Sequence, residues 1–334
     1  MRTRRLTSET DLAAELLRSG GLVALPTETV YGLGANGLDE VAVAKIFAAK
    51  GRPNDNPLIL HIADAADLTR YCADIPDLAY RLAAAFWPGA LTLVLKRKPI
   101  VPDAVTAGLG TVAMRCPDHD LTRGVIAAAG LPIAAPSANA SGRPSPTTAA
   151  HVLEDMDGKI DAVLDGGACT IGVESTILDL TTNPPHLLRP GGVSVEEIEA
   201  VIGAIDTHTR AVGAAETPVA PGMKYRHYAP KAPMTLLLGD AAKTAAHLAA
   251  EAKPADGILC FDEFADQFPA YPNVILMGRM GHSEEQAHVI FDALRRFDTL
   301  AVPHIYAQCP EETDLGLAVV NRLKKAAKTI MELP

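Results

Sequence analysis

Residues 50–61 (KGRPNDNPLILH) are predicted to carry the chain out of a helix, around a stiff corner and into a strand. Apolar residues at helical spacing precede this segment and follow Asp39, a residue type that favours a helix N-terminus. Gly51 stands where such a helix needs a left-handed C-terminal residue. Beyond the corner, side chains that alternate in character predict a strand over residues 58–62. The segment therefore defines where one helix ends and the next strand begins.

The corner concentrates positive charge. Lys50 lies in the last turn of the predicted helix and Arg52 just after it, while Pro53 and Pro57 restrict the chain that follows. Both cations can therefore be directed at one place, and His61 is expected on the strand face opposite the leucines. We interpret the corner as an anion-binding site. The alternative is a solvated turn with an ordinary structural histidine.

Helices and short apolar strands alternate along the remainder of the chain, which predicts a layered α/β or α+β fold. A length of 334 residues suggests two domains. The composition changes after residue 205, so we predict a first domain at 1–205, a linker at 206–231 and a small α/β domain at 232–334. Ser8 and Asp11 resemble a capping box for a first helix that stops at two glycines. Strands are predicted at 22–25, 91–95, 112–115, 133–135, 177–180, 234–238, 258–261 and 274–277, and helices at 75–86, 121–129, 287–296 and 317–328.

Several common classes of protein are disfavoured. The chain has neither the phosphate-binding motif G-x-x-x-x-G-K-[ST] nor the serine hydrolase motif G-x-S-x-G. Gly32, Gly34 and Gly37 do match G-x-G-x-x-G. In a dinucleotide-binding fold, however, the first glycine follows its strand directly, and here six residues intervene. A nicotinamide-binding fold is therefore a minor alternative.

Composition and charge limit the cellular context and the partners. The five cysteines are scattered, which predicts free thiols rather than disulfides or a zinc site. Apolar runs are too short to span a membrane, and the basic N-terminus leads into an amphipathic helix, so a cytoplasmic protein is expected. The net charge is −10, and residues 1–205 carry 17 Lys and Arg against 24 Asp and Glu. Binding to nucleic acid through its phosphates is therefore disfavoured.

Phosphate-type ligands are spread over separate loops instead of one motif. Distributed cations, amides and hydroxyls suit a small polyanion in a concave site. These residues are Lys50, Arg52, Asn56, Arg115, Ser137, Asn139, Ser145 and Arg189.

Six motifs in a fixed order resemble the threonylcarbamoyl-AMP synthases that have a YrdC-like domain. They are residues 26–34 (PTETVYGLG), 50–53 with 56–58 (KGRP, NPL), 87–89 (WPG), 135–139 (APSAN), 172–176 (GVEST) and 188–191 (LRPG). The resemblance covers about the first 205 residues, and the decapeptide 221–230 with the region beyond it is similar to the longer, two-domain form. The implied fold is a YrdC-like twisted mixed sheet with helices around a concave site, plus a small Rossmann-like α/β C-terminal domain.

The resemblance implies an L-threonylcarbamoyladenylate synthase, which is a nucleotidyltransferase. Such an enzyme joins L-threonine, bicarbonate and ATP into threonylcarbamoyl-AMP and releases pyrophosphate. The product would be handed to a tRNA threonylcarbamoyl transferase for modification of adenosine 37 (t6A37), and direct tRNA binding is expected to be weak or absent. Mg²⁺ would be held mainly by the ATP phosphates, so no metal site on the protein is expected.

The resemblance also implies residue roles. The main tasks are charge neutralisation and positioning, for which Lys50 and Arg52 are the expected catalytic residues. Each residue also has an ordinary structural alternative, such as a turn, a cap or a surface ion pair. The carboxylates of Glu28 and Glu174 are not assigned as bases, because a carbamate oxygen needs no deprotonation to attack. The expected L-threonine ligands are Thr29, His61, Arg115 and Ser175, and the expected ATP ligands are Lys50, Arg52, Asn56, Thr111, Ser137, Asn139, Ser145, Arg189 and Tyr228.

Two alternatives and one structural question stay open. The chain could be an RNA-binding YrdC-like module without adenylate-forming activity, although its acidic balance disfavours this. It could be related to the carbamoyltransferases of hydrogenase maturation, but it lacks their zinc-finger and acylphosphatase domains. The decapeptide 221–230 is unusually aromatic and basic for a tether, so we expect it to fold over the first domain's site as a lid. Alternatively, its tyrosines attach the linker to the second domain.

Overall fold

The computed structural model describes residues 2–208, 218–224 and 227–333. The chain divides into two compact units. The first consists of residues 1–141, 145–170 and 174–225, and the second of residues 142–144, 171–173 and 226–334. Residues 218–224, which the sequence placed in a linker, therefore belong to the first unit. Two tripeptides from the middle of the chain belong to the second.

The first unit is built on a mixed sheet of ten strands. Their order is β1-β8-β2-β3-β7-β4-β6-β5-β9-β10, and parallel and antiparallel neighbours are combined. This confirms the predicted mixed α/β character. The strands are β1 (Arg4–Leu6), β2 (Val23–Leu25), β3 (Gly32–Asn36), β4 (Ile59–His61), β5 (Leu91–Lys96), β6 (Thr111–Arg115), β7 (Ile133–Ala134), β8 (Ala162–Leu164), β9 (Thr176–Asp179) and β10 (His186–Arg189).

Helices pack against this sheet. For example, buried apolar residues of α1 and α6 form one cluster with β2 and β8. The helices are α1 (Thr10–Arg18), α2 (Glu40–Lys50), α3 (Leu68–Tyr71), α4 (Asp77–Phe86), α5 (Asp103–Thr106), α6 (Asp120–Ala129), α7 (Ala149–Met156) and α8 (Val195–Ile202).

The predicted corner is confirmed. Helix α2 begins after Asp39, whose carboxylate accepts hydrogen bonds from the backbone N–H groups of Val41 and Ala42. It ends at Gly51, which has φ = 63°. A residue with a β-carbon would be strained in that left-handed conformation, which is why glycine ends the helix.

The capping box predicted for the first helix is wrong. The N-cap residue of α1 is Glu9, and no side chain caps the helix. The carboxylate of Glu9 instead accepts hydrogen bonds from the N–H groups of Thr7 and Ser8, so it stabilises the turn before the helix. At this turn, the side chain that accepts hydrogen bonds from the backbone N–H groups is therefore that of Glu9, and not that of Ser8 or Asp11 as the capping box would require.

The glycine-rich segment does not form a dinucleotide loop. Gly32 and Gly34 lie within β3, where they pair with β2 in antiparallel register. A β-carbon on Gly34 would come within 2.9 Å of Ile133 and 3.0 Å of the Val23 carbonyl oxygen. These glycines therefore permit close packing of neighbouring strands, and the nicotinamide alternative is excluded for this segment.

The second unit contains a sheet of five parallel strands in the order β13-β12-β14-β11-β15. The three predicted strands of this region are confirmed within a residue or two at their ends, while β14 and β15 were missed. The elements are β11 (Met234–Leu238), α9 (Ala241–Glu251), β12 (Gly257–Cys260), β13 (Val274–Leu276), α10 (Ser283–Leu300), β14 (Ile305–Gln308), α11 (Gly316–Ala326) and β15 (Thr329–Glu332), with a 3₁₀ helix at Asp262–Gln267.

None of the helices in the described parts of the chain has both the length and the apolar character needed to cross a bilayer. All five cysteines are free, and four of them are buried.

Candidate functional site

The ammonium group of Lys50 is buried at the corner, with 4% of the residue exposed. It donates hydrogen bonds to the carbonyl oxygens of Ser137 and of Asn139, the latter at 2.6 Å. The end of α2 is thereby joined to the loop after β7. Three predicted ATP ligands are brought together by this contact, and the buried ammonium group supplies positive charge at the loop.

Arg52 stiffens the corner from its other side. Its Nη2 atom donates to the carbonyl oxygens of Asn56 at 3.3 Å and Pro57 at 3.1 Å. Asn56 is only 1% exposed, and its Oδ1 atom accepts no hydrogen bond from the residues that the structure describes. The corner is therefore preformed, and its amide oxygen is an acceptor available to a ligand.

A second group of side chains surrounds Arg115. His61 and Arg115 are register neighbours at the carboxyl ends of the parallel strands β4 and β6. The Nε atom of Arg115 donates to the Gly89 carbonyl oxygen at 3.2 Å, and its Nη2 atom lies 2.7 Å from Oε1 of Glu28. The side chains of this ion pair are only 5% and 7% exposed. Two of the predicted threonine ligands are thus adjacent, together with a carboxylate to which the sequence assigned no role.

The imidazole of His61 is neutral in the folded protein. Burial, and secondly the positive charge of Arg115, lower its pKa from 6.5 to about 3. Its Nδ1 atom lies 3.3 Å from the Ile59 carbonyl oxygen. A neutral ring that contacts a carbonyl through Nδ1 can use Nε2 as a hydrogen-bond acceptor, so His61 suits recognition of a hydroxyl or amine rather than charge neutralisation.

This perturbed pKa predicts a pH dependence of stability. The unfolded chain takes up a proton on His61 below pH 6.5 while the folded chain does not until about pH 3, so stability falls as the pH falls through this window. The slope from one such group is at most about 1.4 kcal/mol per pH unit. We expect urea unfolding of a His61→Gln variant to be less sensitive to pH between pH 6.5 and 4 than that of the wild type. Equal slopes in the two proteins would contradict the neutral imidazole.

Ser175 is held at the start of β9 by Arg189. The Nη2 atom of Arg189 donates to the Ser175 carbonyl oxygen at 2.8 Å, and the Ser175 hydroxyl lies 2.8 Å from Oγ1 of Thr92. A β-carbon on Gly191 would come within 2.2 Å of the Ser175 carbonyl carbon, so only glycine fits there. Arg189 is 5% exposed and also reaches the Pro221 carbonyl oxygen at 3.5 Å. In this structure Arg189 therefore organises backbone around Ser175.

Ser145 is fully buried, and its hydroxyl donates to Oε1 of Glu174 at 2.6 Å. A hydroxyl has one proton to donate, so in this arrangement Ser145 offers a ligand only its lone pairs. It therefore suits a donor such as a ribose hydroxyl or an exocyclic amine better than a phosphate oxygen. Thr29 is also fully buried, with its hydroxyl 2.8 Å from Oγ1 of Thr27.

Thr111 and Tyr228 complete the set of predicted ATP ligands. Thr111 is half-buried at the first residue of β6, about 13 Å along the strand from Arg115 at ~3.3 Å per residue. Tyr228 belongs to the second unit, where its ring centroid lies 5.1 Å from that of Phe291, and the guanidinium of Arg322 lies 5.8 Å from its centre. The contacts within the two units therefore do not test the ATP roles predicted for these residues.

Residues 218–224 pack onto the first unit. Ala220 is completely buried among apolar residues of the sheet, including Ile59, Val94 and Ile177. Lys224 forms an ion pair with Asp55 of the corner at 2.9 Å. The first half of the decapeptide is therefore attached beside the predicted phosphate site. Tyr225 and Arg226, on which the lid hypothesis also drew, lie outside the described residues.

The contacts in the structure identify functional candidates to which the sequence assigned no role. Glu28 and Glu174 were noticed and left unassigned, although each lies inside a motif and touches a predicted ligand. Gly89, Thr92 and Asp55 were not considered as individual residues. The available signal was a carboxylate directly preceding a hydroxyl residue, as in Glu28-Thr29 and Glu174-Ser175.

The second unit has a cleft of its own, with a volume of about 580 Å³. It lies at the carboxyl ends of β11, β12 and β14, the usual place for ligands in parallel sheets. None of the predicted site residues lines it. Its lining residues are Leu238, Gly239, Asp240, Ala241, Ala242, Phe261, Phe264, Met280, Gly281, Gln286, Cys309, Pro310, Glu311, Glu312 and Lys324.

Two family profiles match the chain. The Sua5/YciO/YrdC profile, described as telomere recombination, covers residues 15–191. The profile described as the C-terminal domain of threonylcarbamoyl-AMP synthase covers residues 193–328. Together they account for most of the chain, in the order that the resemblance in the sequence implied.

Similar proteins match along nearly the whole chain. The threonylcarbamoyl-AMP synthase of Pyrococcus abyssi is 50% identical over 95% of this chain and 93% of its own length. The Bacillus subtilis protein of the same name is 50% identical over 94% of this chain and 92% of its own. The crystal structure of P. abyssi Sua5 complexed with L-threonine superposes with a TM-score of 0.90 at 46% identity and covers 100% of both chains.

Proposed function

Because this chain belongs to the threonylcarbamoyl-AMP synthase family, in its two-domain form, we propose that it makes L-threonylcarbamoyladenylate from L-threonine, bicarbonate and ATP and releases pyrophosphate. It would then be a nucleotidyltransferase. The observation that carries the proposal is that one unit contains both a buried cationic corner around Lys50 and a buried guanidinium, Arg115, beside a neutral histidine. The first suits a polyphosphate and the second an amino-acid carboxylate.

The chemistry needs two anions to be brought together. The amine of threonine and bicarbonate give a carbamate, and a carbamate oxygen then attacks the α-phosphorus of ATP, with pyrophosphate as the leaving group. Lys50 and Arg52 are assigned to neutralise the triphosphate, and Arg115 to bind the threonine carboxylate. The Nε atom of Arg115 already donates to Gly89, so a carboxylate would bind along the Nη1–Nη2 edge of the guanidinium.

The side chains at the corner fit ATP that carries its own Mg²⁺. Lys50, Arg52 and Asn56 offer cations and an amide rather than the carboxylates that a protein-held Mg²⁺ prefers. The metal would therefore be bound mainly by phosphate oxygens, where it neutralises phosphate charge. The protein's part is to hold the triphosphate in line with the carbamate.

We also retain the lid hypothesis as part of the proposal. Burial of Ala220 and the Lys224–Asp55 pair support the view that residues 218–224 cover the phosphate site. A cover that excludes water would protect the mixed anhydride from hydrolysis and strengthen the electrostatic interactions beneath it. In this proposal Tyr228 adds a hydrogen bond to the nucleotide once ATP is bound.

The product fits a role in tRNA modification, in which a separate threonylcarbamoyl transferase takes the adenylate to adenosine 37. The acidic net charge of −10 supports little direct tRNA binding by this chain. A cytoplasmic location is proposed because both ATP and tRNA are supplied there.

The direct test is to incubate the full-length protein with ATP, Mg²⁺, bicarbonate and labelled threonine, and to separate the products by chromatography. We expect a labelled adenylate and an equal amount of pyrophosphate, both dependent on bicarbonate. A control without threonine should give neither product. Pyrophosphate release that does not depend on threonine or bicarbonate, without formation of labelled adenylate, would contradict the proposed reaction.

Replacing Arg52 by alanine tests the corner. Loss of a charge-assisted phosphate contact costs about 1.5–3 kcal/mol, which corresponds to a tenfold to hundredfold loss in kcat/KM for ATP. Arg52→Lys keeps the charge but not the two carbonyl contacts of the guanidinium. Its kcat/KM for ATP should therefore lie between those of the alanine variant and the wild type. Pyrophosphate release measures the effect. An unchanged kcat/KM in Arg52→Ala would show that the corner does not bind the phosphates of ATP.

A further inference from the structure

Glu28 is a buried carboxylate whose hydrogen-bonding capacity is not met. It is 7% exposed and follows β2 in the first unit. Its Oε1 atom lies 2.7 Å from Nη2 of Arg115, yet neither carboxylate oxygen accepts a hydrogen bond of good geometry from the residues that the structure describes. Burial of a carboxylate without hydrogen-bond donors lowers the stability of the folded protein by several kcal/mol, unless a ligand supplies the donors. The site is therefore short of hydrogen-bond donors.

The groups around Glu28 do not supply them. The thiols of Cys116 and Cys169 interact electrostatically with both Glu28 and Arg115, and burial raises the pKa of these thiols to about 11 and about 12. They stay protonated at physiological pH, and both are weak donors. The neighbouring imidazole of His61 is neutral for the reason given above. Among the ion pairs of the described residues, Glu28 is paired with Arg115, which is also the group assigned to the substrate's carboxylate, while Asp64 and Arg123 act on the neighbouring Cys116.

We propose that Glu28 binds the α-ammonium group of the amino-acid substrate and takes one of its protons, which makes it a catalytic residue for carbamate formation. This inference rests on the proposed function. An amino-acid zwitterion carries its carboxylate and its ammonium two bonds apart, and the Arg115–Glu28 pair presents the complementary charges side by side. An ammonium group has three N–H donors, which is what the two oxygens of Glu28 lack.

One ammonium N–H bond breaks, and its proton goes to the Glu28 carboxylate. The lone pair left on nitrogen forms a bond to the carbon of bicarbonate, and a second proton from nitrogen departs with the bicarbonate hydroxyl as water. The product is the carbamate anion, and Glu28 returns its proton to solvent. Deprotonation is thus needed before the carbamate exists, whereas the later attack of its oxygen on phosphorus needs no base.

The test compares two ligands on the full-length protein without ATP. One is L-threonine, and the other is 2,3-dihydroxybutanoate, which carries a hydroxyl in place of the amine. Calorimetry should show the wild type preferring threonine by more than tenfold. In Glu28→Gln the preference should be lost because threonine binding weakens while binding of the hydroxy acid does not. A purely structural Glu28, which only holds Arg115, would weaken both ligands equally.

A second readout is the pH profile of adenylate formation. In Glu28→Gln the rate near pH 7 should be reduced, and it should rise about tenfold per pH unit towards the pKa of the free amine, because the substrate must then deprotonate without help. Glu28→Asp keeps a carboxylate, so it should retain the preference for threonine with a lower rate. If Glu28→Gln does not fold, Glu28→Met, which also lacks the carboxylate, is measured instead, with the same two expected results.

The outcomes separate the two proposals. A wild type that neither binds threonine nor forms the adenylate overturns the proposed function, and this inference with it. A wild type that does both, with a Glu28→Gln variant that keeps the threonine preference and the wild-type pH profile, overturns this inference alone.

Discussion

Replacing Arg115 by methionine is expected to damage both the stability and the threonine affinity of the protein. The substitution leaves Glu28 buried without its cation, and breaking a buried pair in this way typically costs 3–5 kcal/mol. It also removes the guanidinium assigned to the substrate's carboxylate, so KM for threonine should rise about a hundredfold, while the affinity for ATP changes little. Urea unfolding and threonine-dependent adenylate formation measure the two effects.

Two further variants test whether the buried ion pair is the origin of the stability lost in Arg115→Met. In the double variant Glu28→Gln/Arg115→Met both charges are absent, so most of the lost stability should return while threonine affinity does not. Arg70→Met is the control, because Arg70 pairs with Asp67 at the surface, where the two side chains are 54% and 27% exposed. Its effect on stability should be below about 1 kcal/mol. A double variant no more stable than Arg115→Met alone would show that the buried ion pair is not the origin of the loss.

Removing the chain beyond residue 208 is expected to abolish adenylate formation or reduce it at least a hundredfold, even if residues 1–208 stay folded. Such a chain lacks residues 218–224. In this segment Ala220 is buried against the sheet, and Lys224 forms an ion pair with Asp55. It also lacks most of the second unit, to which residues 142–144 and 171–173 belong. These two tripeptides directly precede Ser145 and Glu174 in the chain. Product formation is the measurement, with circular dichroism to verify the fold.

Intermediate variants distinguish a lid from a tether. A chain ending at residue 224 should recover part of the activity if residues 218–224 themselves cover the site. In the full-length protein, Lys224→Met should lower activity and increase cleavage of the linker by protease in the presence of ATP. Lys231→Met, which removes an exposed lysine of the second unit, is the control. If the chain ending at residue 208 makes the adenylate at the full rate and ATP leaves linker cleavage unchanged, the segment is a tether.

Much of the candidate site was accessible from sequence because its residues lie in short local motifs. Gly51 could be assigned as the end of α2 because only the local φ angle matters there. The grouping of Lys50 with Ser137 and Asn139 was predicted from their residue types and from the resemblance, but it is explained only by the hydrogen bonds that cross between distant segments. The pairing of β3 with β7 and the strand β8 were not predicted, because pairing partners are chosen by the whole sheet.

The sequence by itself determined the elements whose causes are local: the end of α2 at Gly51, the alternating strand that carries His61, and the set of cations, amides and hydroxyls on loops. Only the tertiary structure decided how these groups are charged and paired. Burial beside Arg115 makes His61 neutral, and the contact between Arg115 and Glu28 joins residues 87 positions apart. The physical reason is that desolvation and ion pairing depend on what surrounds a group in space, and the order of residues along the chain does not specify those neighbours.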